Sequence, residues 1–286
     1  MVSDPPSTVS SVKTPADHYL PPTTQAWNWV KADLHLHTAE DPLDEIDYTA
    51  MELIDHAADE RFRVLAVTLH DKVFDEPAAF RRAQERGVLL IPATELRIEG
   101  ADTVLLNVTA AEAATIHSFS DLRRLRASRG ESLLVFAPHP FYRMGGSIGR
   151  RIAGLLDCFD AIEFCHFHVP IFDPNVAAVR LARRAGKPLL ATSDAHRRRF
   201  FGQNYSLLGL EEGTPLTIPA VFGAIRADRI RRVSPTGGLP RFVALLFFIF
   251  FVHPLLARLP GSKRRLARRK DHPTLSGDRA PAPATV

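Results

Sequence analysis

From residue 30 onward, short apolar runs alternate with longer stretches whose apolar positions recur every three to four residues. The first pattern predicts strands and the second helices. Strands are expected over residues 30–37, 64–70, 88–96, 103–108, 132–137, 161–166, 188–193 and 206–210. Helices are expected over 48–61, 77–86, 120–128, 147–156, 175–185 and 218–228. In the first helix Met51, Leu53, Ile54 and Ala57 share a face. Pro77 opens the second and Gly87 closes it, while Gly130 and Gly186 close two others. Regular strand–helix alternation implies parallel strands in βαβ units. Runs such as Val88-Leu89-Leu90-Ile91 and Pro188-Leu189-Leu190-Ala191 lack polar alternation, which suits a sheet buried on both faces. The expected fold is therefore α/β, and its length suits a barrel of parallel strands better than an open sheet.

The flanks differ from this body. Residues 1–26 are rich in Pro, Ser and Thr, have no apolar core, and read as a disordered leader without a signal peptide. Residues 242–252 are eleven uninterrupted apolar residues, followed by Lys263-Arg264-Arg265 and Arg268-Arg269-Lys270. A spanning helix needs roughly 20 apolar residues. The short segment beside a polybasic run instead suits attachment of residues 241–270 to an anionic membrane face. A helix packed on the barrel or in a dimer interface is the alternative. The domain boundaries expected are a leader at 1–26, a barrel at 27–240, an apolar segment at 241–260 and a basic tail at 261–286.

This tail changes the meaning of the net charge. Of 36 basic and 32 acidic residues, nine and two fall in 241–286, so residues 1–240 carry a net charge of −3. The basic balance thus gives no reason to expect nucleic-acid binding by the main body. Two cysteines, Cys158 and Cys165, are too few for a disulfide framework. A cytoplasmic protein, peripheral on the inner membrane face, is the expectation.

Candidate chemistry gathers at the C-terminal ends of the expected strands: His35 and His37, His70 and Asp71, Glu95, His139, then Cys165, His166 and His168, then Asp194 and His196. In a barrel these ends converge on one mouth. Alternation along a strand points His35 with His37, and Asp194 with His196, to the same side. Imidazoles with carboxylates are ligands for Zn, Mn or Fe and require no thiolate. So many inward polar groups would stay unsatisfied without a cation. Any single histidine is better explained by an ordinary hydrogen bond, but a series at successive strand ends is better explained by metal.

The run Asp33-Leu34-His35-Leu36-His37-Thr38 resembles the opening motif of the PHP (polymerase and histidinol phosphatase) family. His70-Asp71, Glu95, Pro138-His139-Pro140, Ile162-Glu163-Phe164 and Ser193-Asp194-Ala195-His196 follow in the family's order, over residues 30–200. The resemblance implies a distorted (β/α)7 barrel with two or three divalent metal ions, acting as a phosphatase or phosphodiesterase on a small phosphorylated substrate or nucleotide. It implies that His35, His37, Glu95 and Asp194 hold one ion, and that Glu95 bridges to a second held by His139 and His166. A third would use His70, His196 and an acid of the following loop, Asp41, with Asp44 close behind. His168 or Cys165 stand as alternatives to His166. Asp33 and Asp71 are expected to orient ligands, with Glu163 and Ser193 in the same plausible role. Two metals sharing Glu95 would activate a bridging water. With the third metal absent, His196 or His70 would protonate the leaving group, and Arg143 would bind phosphate. Arg197, Arg198 and Arg199 would widen an anionic-substrate funnel or form a solvated face. Two other readings remain at this point: a metal-stabilised binding module at a membrane, and hydrolysis of a non-phosphate bond.

Overall fold

The computed structural model describes residues 26–142, 145–166, 168 and 173–235. Strands β1 (Trp27–Leu36), β2 (Phe62–Val67) and β3 (Leu89–Ile98) are parallel and are joined through helices α1 (Ala50–Asp59) and α2 (Pro77–Glu85). Thr49 caps α1 in a capping box with Glu52, which satisfies two of the free amides of the first turn.

The expected all-parallel sheet is corrected here: the sheet is mixed. Strand β4 (Ala101–Leu106) runs antiparallel to β3 and to β5 (Leu134–Ala137). The cause is local. Only Glu99 and Gly100 separate β3 from β4, both at positive φ (47° and 78°), and a two-residue turn of that handedness makes a hairpin. The short helix α3 (Ala110–Ala113) and helix α4 (Phe119–Arg129) lead to β5. Strands β5, β6 (Ala161–Phe164) and β7 (Leu189–Ala191) are again parallel, with helix α5 (Asn175–Ala185) crossing between the last two. The helix expected over 147–156 is instead 3-10 turns at Gly149–Gly154 and Leu156–Cys158. Gly149 at φ 61° breaks the α geometry at its start. Strand β8 (Tyr205–Glu211), helix α6 (Ile218–Arg226) and strand β9 (Ile230–Val233) complete the fold.

The nine strands lie in the order β7-β6-β5-β4-β3-β2-β1-β8-β9, curled into a nearly closed barrel. Closure is made in two places. Just beyond β7, Asp194 N donates to His35 O (3.0 Å) and Ala195 bridges Leu36 in parallel. Lower down, the Ser206 hydroxyl on β8 donates to Ala191 O (2.9 Å) and accepts from Ala191 N (3.0 Å). Val30, Ala32, Leu34, Ala66, Ile91, Phe136 and Leu190 share one cluster with Val221, Phe222 and Ile225 of α6. Separate clusters pack the helices against the strands.

Strand β1 carries a one-residue bulge: Asp33 pairs with Leu65, yet Leu36 pairs with Val67. Bulges re-aim side chains beside functional sites. Ala32 and Leu34 belong to the cluster with α6, whereas Leu36 packs with α1 and α2. His35 and His37 are thereby directed to the mouth.

Candidate metal centre

The first expected pair is brought together and fully buried. His35 Nε2 lies 3.6 Å from Glu95 Oε2 and 3.5 Å from Asp194 Oδ1. His37 Nε2 lies 3.5 and 3.4 Å from the same two oxygens. Neither nitrogen has a hydrogen-bond partner among the described residues. Two buried orphaned nitrogens are unusual in a folded protein. Their spacing explains them: ~3.4 Å is the edge of a tetrahedron whose four donors lie about 2.1 Å from its centre. The residues fit a divalent cation.

The other faces of these rings are fixed by carboxylates. His35 Nδ1 lies 3.0 Å from Glu163 Oε1. His37 Nδ1 lies 3.1 Å and His70 Nδ1 2.9 Å from Asp41 Oδ2. A histidine ligand bonded to a carboxylate through its second nitrogen has its tautomer and ring angle set. Glu163 also accepts from His139 N and from the Thr192 hydroxyl, which joins β6 to the mouth loops.

His139 approaches Glu95 from the other side, with Nε2 3.2 Å from Oε1. Glu95 thus lies between the His35/His37 pair and His139. His166 has Asp194, Glu163, His139 and His35 as electrostatic neighbours. His168 instead places Nε2 2.9 Å from the Ser234 hydroxyl. The Cys165 backbone is clamped by Asn175.

The outer group is His37, His70 and His196, whose nitrogens come within one ligand-sized cluster. His37 stacks on His70 and His196 at 4.4 and 4.3 Å between centroids. His196 Nε2 lies 3.1 Å from Asp44 Oδ2. Asp41, the acid preferred from sequence, is otherwise engaged. Its Oδ2 also accepts from His70 N, and its Oδ1 accepts from the amides of Leu43 and Asp44.

The two expected orienting residues make backbone contacts. Asp33 Oδ1 accepts from Ser193 N (3.1 Å) and so ties β1 to the loop carrying Asp194, with His35 as a further neighbour. Asp71 Oδ1 accepts from Arg97 N (2.8 Å) and so steadies β3 two residues beyond Glu95. Arg143 and the apolar segment at 241–260 lie outside the described residues. Asp102 is a residue that the sequence reading missed: a carboxylate oxygen of its buried side chain comes within 4.8 Å of ligand atoms of Glu95 and His139. Its partner is Arg97, with Nη2 2.6 Å away.

The electrostatics ask for positive charge. Burial opposes ionisation at every one of these groups, yet His35 is held well above its ordinary value because Asp194, Glu163 and Glu95 surround it. His139 rises to about 9 against its burial, through its bond to Glu95. Glu95 and Asp194 are likewise held well below the carboxylate range, chiefly by His35. His37 and His166 go down, burial being the leading cause. Asp33, buried away from water, is pushed up to about 7. Without a cation, protons on the rings compensate the carboxylates. His139 (φ 29°) and Asp194 (φ 46°) also occupy the left-handed region, where backbone strain tends to mark functional positions.

Residues 173–230 match the family model described as PHP-associated. No curated protein matches the chain. Among solved structures, it resembles a two-domain protein from Bacteroides vulgatus containing a predicted PHP-like metal-dependent phosphoesterase. The TM-score is 0.56 at 16% identity, over 78% of this chain and 70% of that one. PsfC from Pseudomonas syringae gives 0.54 at 16%, over 80% and 99%. The lesion-specific endonuclease PfuEndoQ from Pyrococcus furiosus gives 0.50 at 13%, over 77% and 66%. At these identities the likeness is one of fold. The matched segment and the barrel-like fold agree with the resemblance carried by the motifs between Asp33 and His196.

Proposed function

We propose that this protein is a metal-dependent phosphoesterase whose site is the mouth of the barrel. The observation that carries the reading is the convergence of His35 Nε2, His37 Nε2, Glu95 Oε2 and Asp194 Oδ1 on one buried point, with neither nitrogen hydrogen-bonded among the described residues. The solved neighbours described as phosphoesterase and endonuclease support the same class.

We assign His35, His37, Glu95 and Asp194 to the inner cation. Glu95, His139 and His166 are assigned to a second, and His70, His196 and Asp44 to a third. Asp41 is a positioning residue for His37 and His70, as Glu163 is for His35. Divalent cations bound there would supply an activated water and neutralise phosphoryl oxygen charge. Zn, Mn and Fe all suit this donor set.

The chain's own groups do the rest. The new bond joins water oxygen to phosphorus, the P–O ester bond breaks, and the departing oxygen needs a proton. His196 is more exposed than His35, His37, His70 or His139, at 36% of its side chain. Its Nδ1 donates to Asp194 O (3.0 Å), and its Nε2 faces Asp44. Burial works against a proton there, but Asp44 and Asp194 raise its affinity. When the third ion is absent, a proton at Nε2 is therefore placed at the solvent side, where a leaving group would depart. His70 Nε2, 3.0 Å from Glu95, is more enclosed and suits a ligand role.

We take residues 27–240 as the catalytic domain. Among the described residues no helix is long and apolar enough to cross a membrane. Contact of residues 241–270 with anionic lipid is a separate proposal, and flotation with phosphatidylserine vesicles tests it.

The deciding experiment is hydrolysis of p-nitrophenyl phosphate and bis-p-nitrophenyl phosphate, with metal content measured on the same sample. Turnover abolished by chelator and by His35→Ala or Asp194→Ala is expected. Undiminished turnover in either variant would refute the assignment.

A further inference from the structure

Alternation gives β1, β8 and β9 two different sides. On one, Val30, Ala32, Leu208 and Leu210 pack with α6. On the other, Trp27, Trp29 and Lys31 of β1 pair with Glu211, Gly209 and Leu207 of β8, and Leu207 and Tyr205 pair in turn with Arg231 and Val233 of β9. Trp27, Trp29, Leu207 and Val233 on this second side are half-buried and belong to none of the three cores. The Trp29 ring lies over Gly209, where a Cβ would come within 3.2 Å of it. The Arg231 guanidinium lies 4.1 Å from the Trp29 ring centroid, and that of Arg229 lies 4.7 Å from Trp27.

Beside Trp29 the surface opens into a cleft of about 720 Å³, lined by Lys31, Arg61, Phe62, Arg63 and Arg86 and by no acidic residue. Arg86 is paired with Asp55 and Asp59, and Arg229 with Glu211. Lys31, Arg61, Arg63 and Arg231 make no ion pair among the described residues. Lys31 Nζ donates to Glu60 O (3.0 Å) and Arg63 Nε to Gly87 O (2.8 Å), bonds that leave both charges uncompensated. Arg61 is exposed and stands at φ 63° just after α1, a position where glycine is usual. Four cations without a carboxylate thus gather on one side of a body, residues 1–240, whose net charge is −3.

We propose that this side of the barrel docks on an anionic lipid bilayer, with headgroup phosphates in the cleft and the two indoles at headgroup depth. Indoles settle at that depth and cations are drawn to it. Unsealed apolar side chains rimmed by charge mark a surface of interaction. Two observations favour lipid over a second copy of the chain. Two copies joined through this face would set like charges against each other. The chain beyond β9 also continues in the same chemistry, with eleven apolar residues at 242–252 and basic clusters at 263–265 and 268–270. His35 lies about 20 Å further along β1 than Trp29, so docking here leaves the mouth open to water.

Trp27 and Trp29 are the only tryptophans in the chain, so intrinsic emission reports on this face alone. The test titrates the full chain with phosphatidylcholine vesicles, with and without phosphatidylserine, and follows binding by sedimentation. With phosphatidylserine present, the protein should sediment with the vesicles, its emission should move to the blue, and bromine-labelled acyl chains should quench it. Arg61→Gln and Arg231→Gln should each weaken binding about fivefold. Binding that leaves the emission unmoved and unquenched would put the contact elsewhere, in residues 241–270, and overturns the proposal. So does undiminished affinity in both variants, or equal binding to vesicles without phosphatidylserine. No binding to any vesicle, the result that an acidic protein partner would give, overturns it as well.

Discussion

Glu163 Oε1 sits 3.0 Å from His35 Nδ1, with both side chains sealed from solvent. The bond crosses the barrel from β6 to β1 and fixes which nitrogen of His35 faces the mouth. Glu163→Gln preserves size and removes the charge. Metal affinity is expected to fall about 10- to 100-fold, the usual effect of losing such a support, while the far-ultraviolet spectrum stays unchanged. Competition with a chromophoric chelator measures it. Unaltered affinity would mean that Glu163 serves only His139 N and Thr192.

Asp41 and Asp44 make opposite predictions. Asp44 is a third exposed on its side chain and reaches the rings of His70 and His196. Asp44→Asn should remove one ion per chain and leave the melting temperature of the metal-free protein nearly unchanged. Asp41 joins two rings and three backbone amides. Asp41→Asn should therefore lower the stability of the metal-free protein by about 1–3 kcal/mol, since buried donors lose their acceptor. Metal analysis beside urea melts separates the two. Equal metal loss with equal destabilisation would erase the distinction between them.

Much of this was readable from spacing alone. His35, His37, Glu95, His139 and Asp194 converge because parallel strands deliver their C-terminal ends to one mouth. Where the reading stopped, the reason is geometric. Strand-end reasoning looks past Asp102, because β4 is reversed and its N-terminal end is the one at the mouth. The hairpin at Glu99-Gly100 was the available signal. The period-two rule put Asp33 beside His35 but gave no sign of its bond to Ser193 N. The choice between Asp41 and Asp44 lies in loop shape, which no periodicity encodes. Strand β9 pairs only with β8, and its Arg231-Arg232 core hides it from an apolar search.

Occupancy of the centre should stabilise the fold, since cations bind the assembled ligands and not the unfolded chain. At a hundredfold excess over Kd the gain is about 2.7 kcal/mol. For a domain of this size that is a rise of roughly 5–10 °C in Tm. Scanning calorimetry with EDTA, then with Zn²⁺, Mn²⁺ or Fe²⁺ restored, measures it. A melting temperature indifferent to all of these would contradict the metal assignment independently of any activity.

Far from the mouth, Asp160 accepts from Arg126 of α4, from Arg226 of α6 and from Val135 N of β5, and so pins two helices to the barrel. Burial raises its pKa, but the two guanidiniums and the amide outweigh that and leave it below the ordinary value. A carboxylate depressed in the folded state contributes stability above its unfolded pKa, about 3.9. That contribution fades as pH falls through the lower folded value. Both arginines are about a fifth to a quarter exposed, so Asp160→Asn should cost about 2–4 kcal/mol at pH 7, somewhat less than a fully buried pair. The gap between wild type and variant should narrow below pH 4, when protonation removes the same charge from the wild type. Urea melts from pH 3 to pH 7 give the curve. A gap that stayed constant down to pH 3 would show that the loss comes from packing and hydrogen bonding rather than from the charge of Asp160.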